Sequence, residues 1–252
     1  MEVTVRQKVS MKPQTEVVAS VLAYSLCSGS LILLNKLILH YLPYPSLVVC
    51  FQLAVTLLFI YSAKHCYGLP VDELQWRYIT PYLYYIIAFA MGVYCNMRSL
   101  SISNVETVIV FRAFSPCLVA FLDAIFLGRE FPSVRSWVGL GTIVMGAYGY
   151  ASFDEQFQTQ GMHAYMWPFC YLLIISFEMA YGKLIIRSVD LKTKSGPVLY
   201  TNLLGIWPML LFAYLGGEPS KLHANLLKSP VPPPAFVFLA VGCIAGTAIG
   251  YR

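Results

Sequence analysis

Eight long apolar windows, with turn chemistry or charge at their boundaries, constrain this chain more than any other feature. They fall at 17–39, 44–62, 79–98, 103–128, 133–151, 162–186, 197–215 and 233–250. Each is close to the roughly 20 residues that an α-helix needs to cross a bilayer. The breakers are Pro43-Tyr44-Pro45, Gly128-Arg129-Glu130-Phe131-Pro132, Ser195-Gly196-Pro197 and Pro232-Pro233-Pro234. Proline biases the residue before it away from the helical region, so these runs stop one helix before the next begins. No window alternates as a barrel strand of about ten residues would. The sequence therefore predicts an all-α polytopic membrane protein. Charged residues are only 12% of the 252, about half the roughly 25% of soluble domains. Too few charges remain to cover a soluble enzyme. The formal net charge of +5 forms no basic stripe interleaved with aromatics, so a nucleic-acid partner is not expected. The lipid bilayer is.

Loop charge sets the orientation. Arg6, Lys8, Lys12, Lys64, Arg77, Arg129, Arg135, Lys183, Arg187, Lys192 and Lys194 fall on one side. The other side has Lys36, Arg98, Lys221 and Lys228, with Asp154 and Glu155 in the loop 152–161. The excess predicts a cytosolic N-terminus. The first 16 residues are polar and run into a long span without a small-residue cleavage site, as in a retained anchor.

The seven cysteines form no CxxC pair and mostly fall inside spans, as small buried thiols do. The four histidines are isolated, and no HExxH, GxSxG or P-loop occurs. Neither a metal, a cofactor nor a catalytic constellation is predicted. Gly242, Gly246 and Gly250 recur every four residues, a pattern that lets another helix approach closely.

Ionisable groups inside spans carry more information, because each costs about 2.5–3.5 kcal/mol at the bilayer centre. Span four holds Glu106, Arg112 and Asp123. In a continuous helix Arg112 and Asp123 lie within about 20° of one face and about 16 Å apart. They cannot pair, and they define a polar stripe with Ser115 between them. Arg112 is then either a cationic site for an anionic solute or the partner of a carboxylate such as Glu178 or Glu106. Lys36, beside Asn35 near the end of span one, either contacts solute or snorkels to the interface. Tyr200 and Asn202 open span seven, where they serve helix–helix hydrogen bonds or the stacking and edge recognition of a base.

Several of these segments resemble the nucleotide-sugar transporters of the drug/metabolite transporter superfamily, most closely the GDP-mannose transporter group and its plant GDP-sugar carriers. Leu22-Ala23-Tyr24-Ser25 and Leu34-Asn35-Lys36 resemble that family's first span. Glu106-Thr107-Val108-Ile109-Val110-Phe111-Arg112, with Asp123 eleven further on, resembles its fourth. Leu199-Tyr200-Thr201-Asn202 resembles its Phe-Tyr-Asn-Asn guanine-recognition motif, with Leu199 and Thr201 departing from it.

The resemblance implies a Golgi antiporter that exchanges GMP for a GDP-sugar. Its fold has ten helices in two inverted five-helix repeats, here 17–151 and an incomplete 162–252, after a cytosolic segment 1–16. The substrate would meet Tyr24, Asn35, Lys36, Arg112, Ser115, Asp123, Tyr200 and Asn202. With eight spans of ten, the chain is expected to lack two helices and not to exchange by itself. A UDP-sugar or sugar-phosphate translocator, a truncated non-transporting scaffold and a homodimer stay open.

Overall fold

A computed structural model describes residues 14–72, 75–128, 132–188, 193, 195–228 and 230–250. Among these, the chain forms α1 (Gln14–Tyr41), α2 (Pro45–Tyr67), α3 (Trp76–Ile102), α4 (Val105–Ala113), α5 (Ser115–Leu127), α6 (Val134–Phe153), α7 (Glu155–Gln160), α8 (Met162–Ser188), α9 (Ser195–Leu215), α10 (Glu218–Lys228) and α11 (Pro233–Gly250). The all-α membrane fold read from the sequence is what is observed. Five segments are long and apolar enough to span a bilayer: Val21–Tyr41, Pro45–Tyr67, Tyr82–Ile102, Val105–Phe126 and Ser195–Leu215. Helices also occupy the other three windows, as α6, α8 and α11.

Two details differ from expectation. Span four is not one helix. It breaks at Phe114, where Phe114 N–H donates to Phe111 O (3.1 Å) and Cys117 N–H to Phe114 O (3.0 Å). Pro116, which has no N–H to give, lies in the first turn of α5. The helix from Arg112 to Asp123 thus passes through one tightened turn, at which Phe114 keeps right-handed helical dihedrals (φ −77°, ψ −19°). The second difference is α10, in a stretch that gives no apolar signal. It is strongly amphipathic, with Leu226 and Leu227 exposed and Glu218 buried.

The bundle is held by helix pairs: α1 packs on α11, α2 on α9, and α3 on α8 and α9. The core is built from Ile38, Val48, Val49, Leu53, Ala90, Met97, Leu100, Val108 and Met209. Gly242 serves close approach as its spacing suggests, because a Cβ there would meet Ile38 Cδ1 at 3.1 Å and Gln52 Nε2 at 3.3 Å. Gly246 meets nothing within 4 Å, so the four-residue repeat is not a uniform seam. Cysteines 50, 95, 117 and 243 are buried, Cys27 and Cys170 half-buried, and Cys66 exposed, all as free thiols.

Candidate functional site

The intramembrane cations separate into three situations. Lys36 is occupied: its Nζ donates to Leu100 O (2.6 Å) and Ser103 O (2.9 Å). These carbonyls belong to the last turn of α3, where helix termini lack partners and a cation opposes the dipole. Lys36 is thus the cap of α3, and two of its three donors are spent. Arg98 on α3 lies over the Trp167 ring, 5.5 Å from its centroid, while its buried Nε has no acceptor among the described residues. Arg112, half-buried at the end of α4, makes no hydrogen bond or ion pair with another described residue. The carboxylates proposed as its partners are not joined to it. Glu178 on α8 instead accepts from Tyr85 Oη (3.3 Å) and lies against Gly92, where a Cβ would stand 3.3 Å from Glu178 Oε2. Glu106 is exposed.

The break at Phe114 gives Arg112 its surroundings. α5 begins at Ser115, whose buried Oγ has no hydrogen-bond partner among the described residues. Pro116 has no N–H and Cys117 N–H is given to Phe114 O, so the donors this turn offers are the Arg112 guanidinium and the Ser115 hydroxyl. Asp123 is buried further along α5.

The remaining candidates are placed differently. Asn35 is buried, and its Oδ1 accepts from Gln52 Nε2 (3.0 Å) on α2. Gln52 was not singled out from the sequence, although a lone amide in an apolar span could have flagged it. One step further, Thr56 and Thr247 share a hydroxyl hydrogen bond of 3.0 Å between α2 and α11. Tyr200 is wholly buried, packed on Tyr82 with centroids 5.5 Å apart, and its hydroxyl accepts Gln75 N–H (2.9 Å). Asn202 Nδ2 donates back to Val198 O (2.7 Å), within its own helix. Tyr24 lies on α1, with its side chain outside the described residues. The structure thus gathers Arg112 with Ser115 and Asn35 with Gln52, while Tyr200 and Asn202 act in this conformation as packing and back-bonding groups. Three cavities, of about 460, 340 and 490 Å³, are apolar grooves between neighbouring helices. Of the polar residues above, Thr247 alone lines one of these three.

A family model described as "Triose-phosphate Transporter family" matches residues 16–203. The chain belongs to the triose-phosphate transporter family. Two curated plant relatives agree. GDP-fucose transporter 1 of Arabidopsis thaliana is 33% identical over 234 residues, covering 92% of this chain and 67% of the relative. GDP-mannose transporter GONST3 of Arabidopsis thaliana is 28% identical over 240 residues, covering 94% of this chain and 63% of the relative. The chain thus spans about two thirds of the length of these relatives. The resemblance to nucleotide-sugar transporters of the drug/metabolite transporter superfamily is borne out, and the family is one of transporters, not enzymes.

Proposed function

We propose that this chain belongs to a GDP-sugar carrier of the Golgi membrane, exchanging GMP for GDP-sugar with its N-terminus in the cytosol. The observation that carries the reading is Arg112: a guanidinium within a spanning segment, without a hydrogen-bond or ion-pair partner among the described residues, beside the tightened turn at Phe114. Unpaired charge at that depth is expensive, and an anionic ligand offsets the cost. A phosphate suits it, because guanidinium donates parallel charge-assisted hydrogen bonds to phosphate oxygens. The names of the two relatives support a guanine nucleotide-sugar as the solute.

The inverted-repeat reading has support of its own. The pairs α1 with α11, α2 with α9 and α3 with α8 map onto themselves when α1, α2 and α3 are exchanged for α8, α9 and α11. Residues 17–151 and 162–252 then act as the two halves, with solute between them. Tyr200 and Asn202 would reach a base only after the contacts of Tyr200 with Tyr82 and Gln75 are released.

The test is nucleotide competition on the purified chain, comparing GMP, guanosine and UMP. GMP should compete far better than guanosine. Arg112→Ala should weaken GMP by about ten- to a hundredfold, the value of lost charge-assisted hydrogen bonds. Arg112→Lys should keep part of the affinity, since the charge survives and the fork does not. If Arg112→Ala binds GMP as tightly as the parent, the phosphate role is wrong. Equal competition by GMP and UMP would move the reading to another nucleotide-sugar.

A further inference from the structure

The antiparallel pair α2–α9 carries the same device at each end. α2 ends at Gly68, whose φ of 62° is left-handed, and the chain then runs Leu69-Pro70-Val71-Asp72. The Asp72 carboxylate accepts from Thr193 N–H (3.0 Å) and Thr193 Oγ1 (2.8 Å), two residues before α9 begins. Thr193 Oγ1 in turn accepts Gly196 N–H (3.2 Å) in the first turn of α9. At the opposite end α9 gives way to Gly217, with φ 63°, and Glu218 follows. Glu218, itself buried, accepts Ser46 N–H at Oε1 (3.2 Å) and Leu47 N–H at Oε2 (2.9 Å), the first turn of α2.

Each helix of the pair is thus ended by a left-handed glycine, and the chain beyond supplies a carboxylate to the start of its partner. Glycine reaches that φ without the steric cost an L side chain would meet. The free N–H groups and positive end of a helix dipole favour a carboxylate there. Secondary ties reinforce both ends. Gln75 N–H donates to Tyr200 Oη (2.9 Å) on one side. On the other, Asn225 Nδ2 donates to Tyr44 Oη (2.7 Å).

We propose that Asp72 and Glu218 are the two latches of alternating access, Asp72 closing the face of the α2–α3 connection and Glu218 the face of the α1–α2 turn. This rests on the transporter reading above and says which contacts must break for either face to open. With both latches made, as in this structure, the α2–α9 seam is shut at its two ends. Releasing one leaves the other as the pivot. Gly196 marks how tight the first latch is, because a Cβ at that position would collide with the Asp72 carboxylate.

Two serines provide near-isosteric reporters. Ser46 (0% exposed) starts α2, and Ser195 (4% exposed) starts α9. The 252-residue chain in nanodiscs carries Ser46→Cys or Ser195→Cys. It is labelled with a water-soluble maleimide and read at that site by peptide mass spectrometry, leaving the native cysteines in place. Asp72→Asn should speed labelling at 195 by about tenfold, the scale of one charge-assisted hydrogen bond, and leave 46 unchanged or slower. Glu218→Gln should do the reverse. Gly196→Ala should reproduce Asp72→Asn, and Asn225→Ala should reproduce Glu218→Gln more weakly, so the test survives a variant that fails to fold. Equal acceleration at both sites by either variant, or none at either, overturns the latches. No solute is needed, so a crossed pattern in a chain that binds no GMP keeps the latches and removes the GDP-sugar reading alone.

Discussion

α9 and α6 are helices of nearly equal length and both carry glycine, yet one is locked into the bundle and the other is not. α9 buries Ser195, Gly196, Val198, Leu199, Tyr200, Gly205, Met209 and Ala213. α6 buries none of its residues. The glycines show the reason. A Cβ at Gly205 would meet Phe89 Cε1 at 3.3 Å and Leu53 Cδ1 at 3.5 Å, whereas Gly139, Gly141, Gly146 and Gly149 meet nothing within 4 Å. α9 is pressed between α2 and α3, while α6 rests along one side on α4, α7 and, through Trp137 against Phe121, α5. Its side-chain ties to other helices include Tyr150 with Thr107, 2.9 Å between hydroxyl oxygens, and Trp137 edge-on to Phe121 with centroids 5.3 Å apart. Apolarity places a helix in a membrane, and only its neighbours decide whether its small residues are contacts. Lipid is as apolar as leucine, so packing between spans depends on such close approach.

The sharpest way to break this contrast is to fill the same space in both helices. Gly205→Leu should destabilise the chain by about 3 kcal/mol, because Phe89 and Leu53 must give way in a packed interior. Thermal unfolding in detergent measures it. A melting temperature like that of the parent would mean that α9 is as loosely held as α6.

A smaller effect comes from two tyrosines. Tyr200→Phe removes the acceptor of Gln75 N–H and should cost about 1 kcal/mol of stability. Tyr148→Phe, on the 76% exposed Tyr148 of α6, should leave the melting temperature unchanged. GMP affinity sharpens the result for α9. If Tyr200→Phe leaves stability intact but weakens GMP, its hydroxyl serves solute and not the α3–α9 contact.

Much of this architecture was legible in the sequence. Hydrophobic windows and proline-rich breakers located every long helix, since the bilayer demands both. The break at Phe114 was harder, because Val105–Phe126 is apolar throughout and only Pro116 signals it. α10 escaped notice because a helix at an interface needs amphipathicity, not a continuous apolar run. At the site, residue type pointed to Arg112, Ser115 and Asn35. It could not tell Arg112 from Lys36, because the carbonyls that occupy Lys36 lie more than 60 residues away, at Leu100 and Ser103. Asp72 and Glu218 were invisible for the same reason: each serves a helix start more than 100 positions distant.

The smallest expected effect probes α6 itself. Gly146→Ala adds a methyl where nothing stands within 4 Å, so it creates no clash. Alanine also favours the helix over glycine by about 1 kcal/mol in water, a gain that a bilayer, which already enforces helix, should largely erase. The melting temperature of the chain in detergent should therefore stay level or rise slightly. A clear fall would mean that Gly146 meets a surface that the described residues do not provide. Size-exclusion chromatography with light scattering at two protein concentrations then identifies that surface: a mass that drops in Gly146→Ala makes the α6 face a contact between copies of this chain. An unchanged mass together with a lowered melting temperature would instead point to rearrangement of α6 onto α4 within one chain, and the contrast with α9 would narrow to a difference of degree.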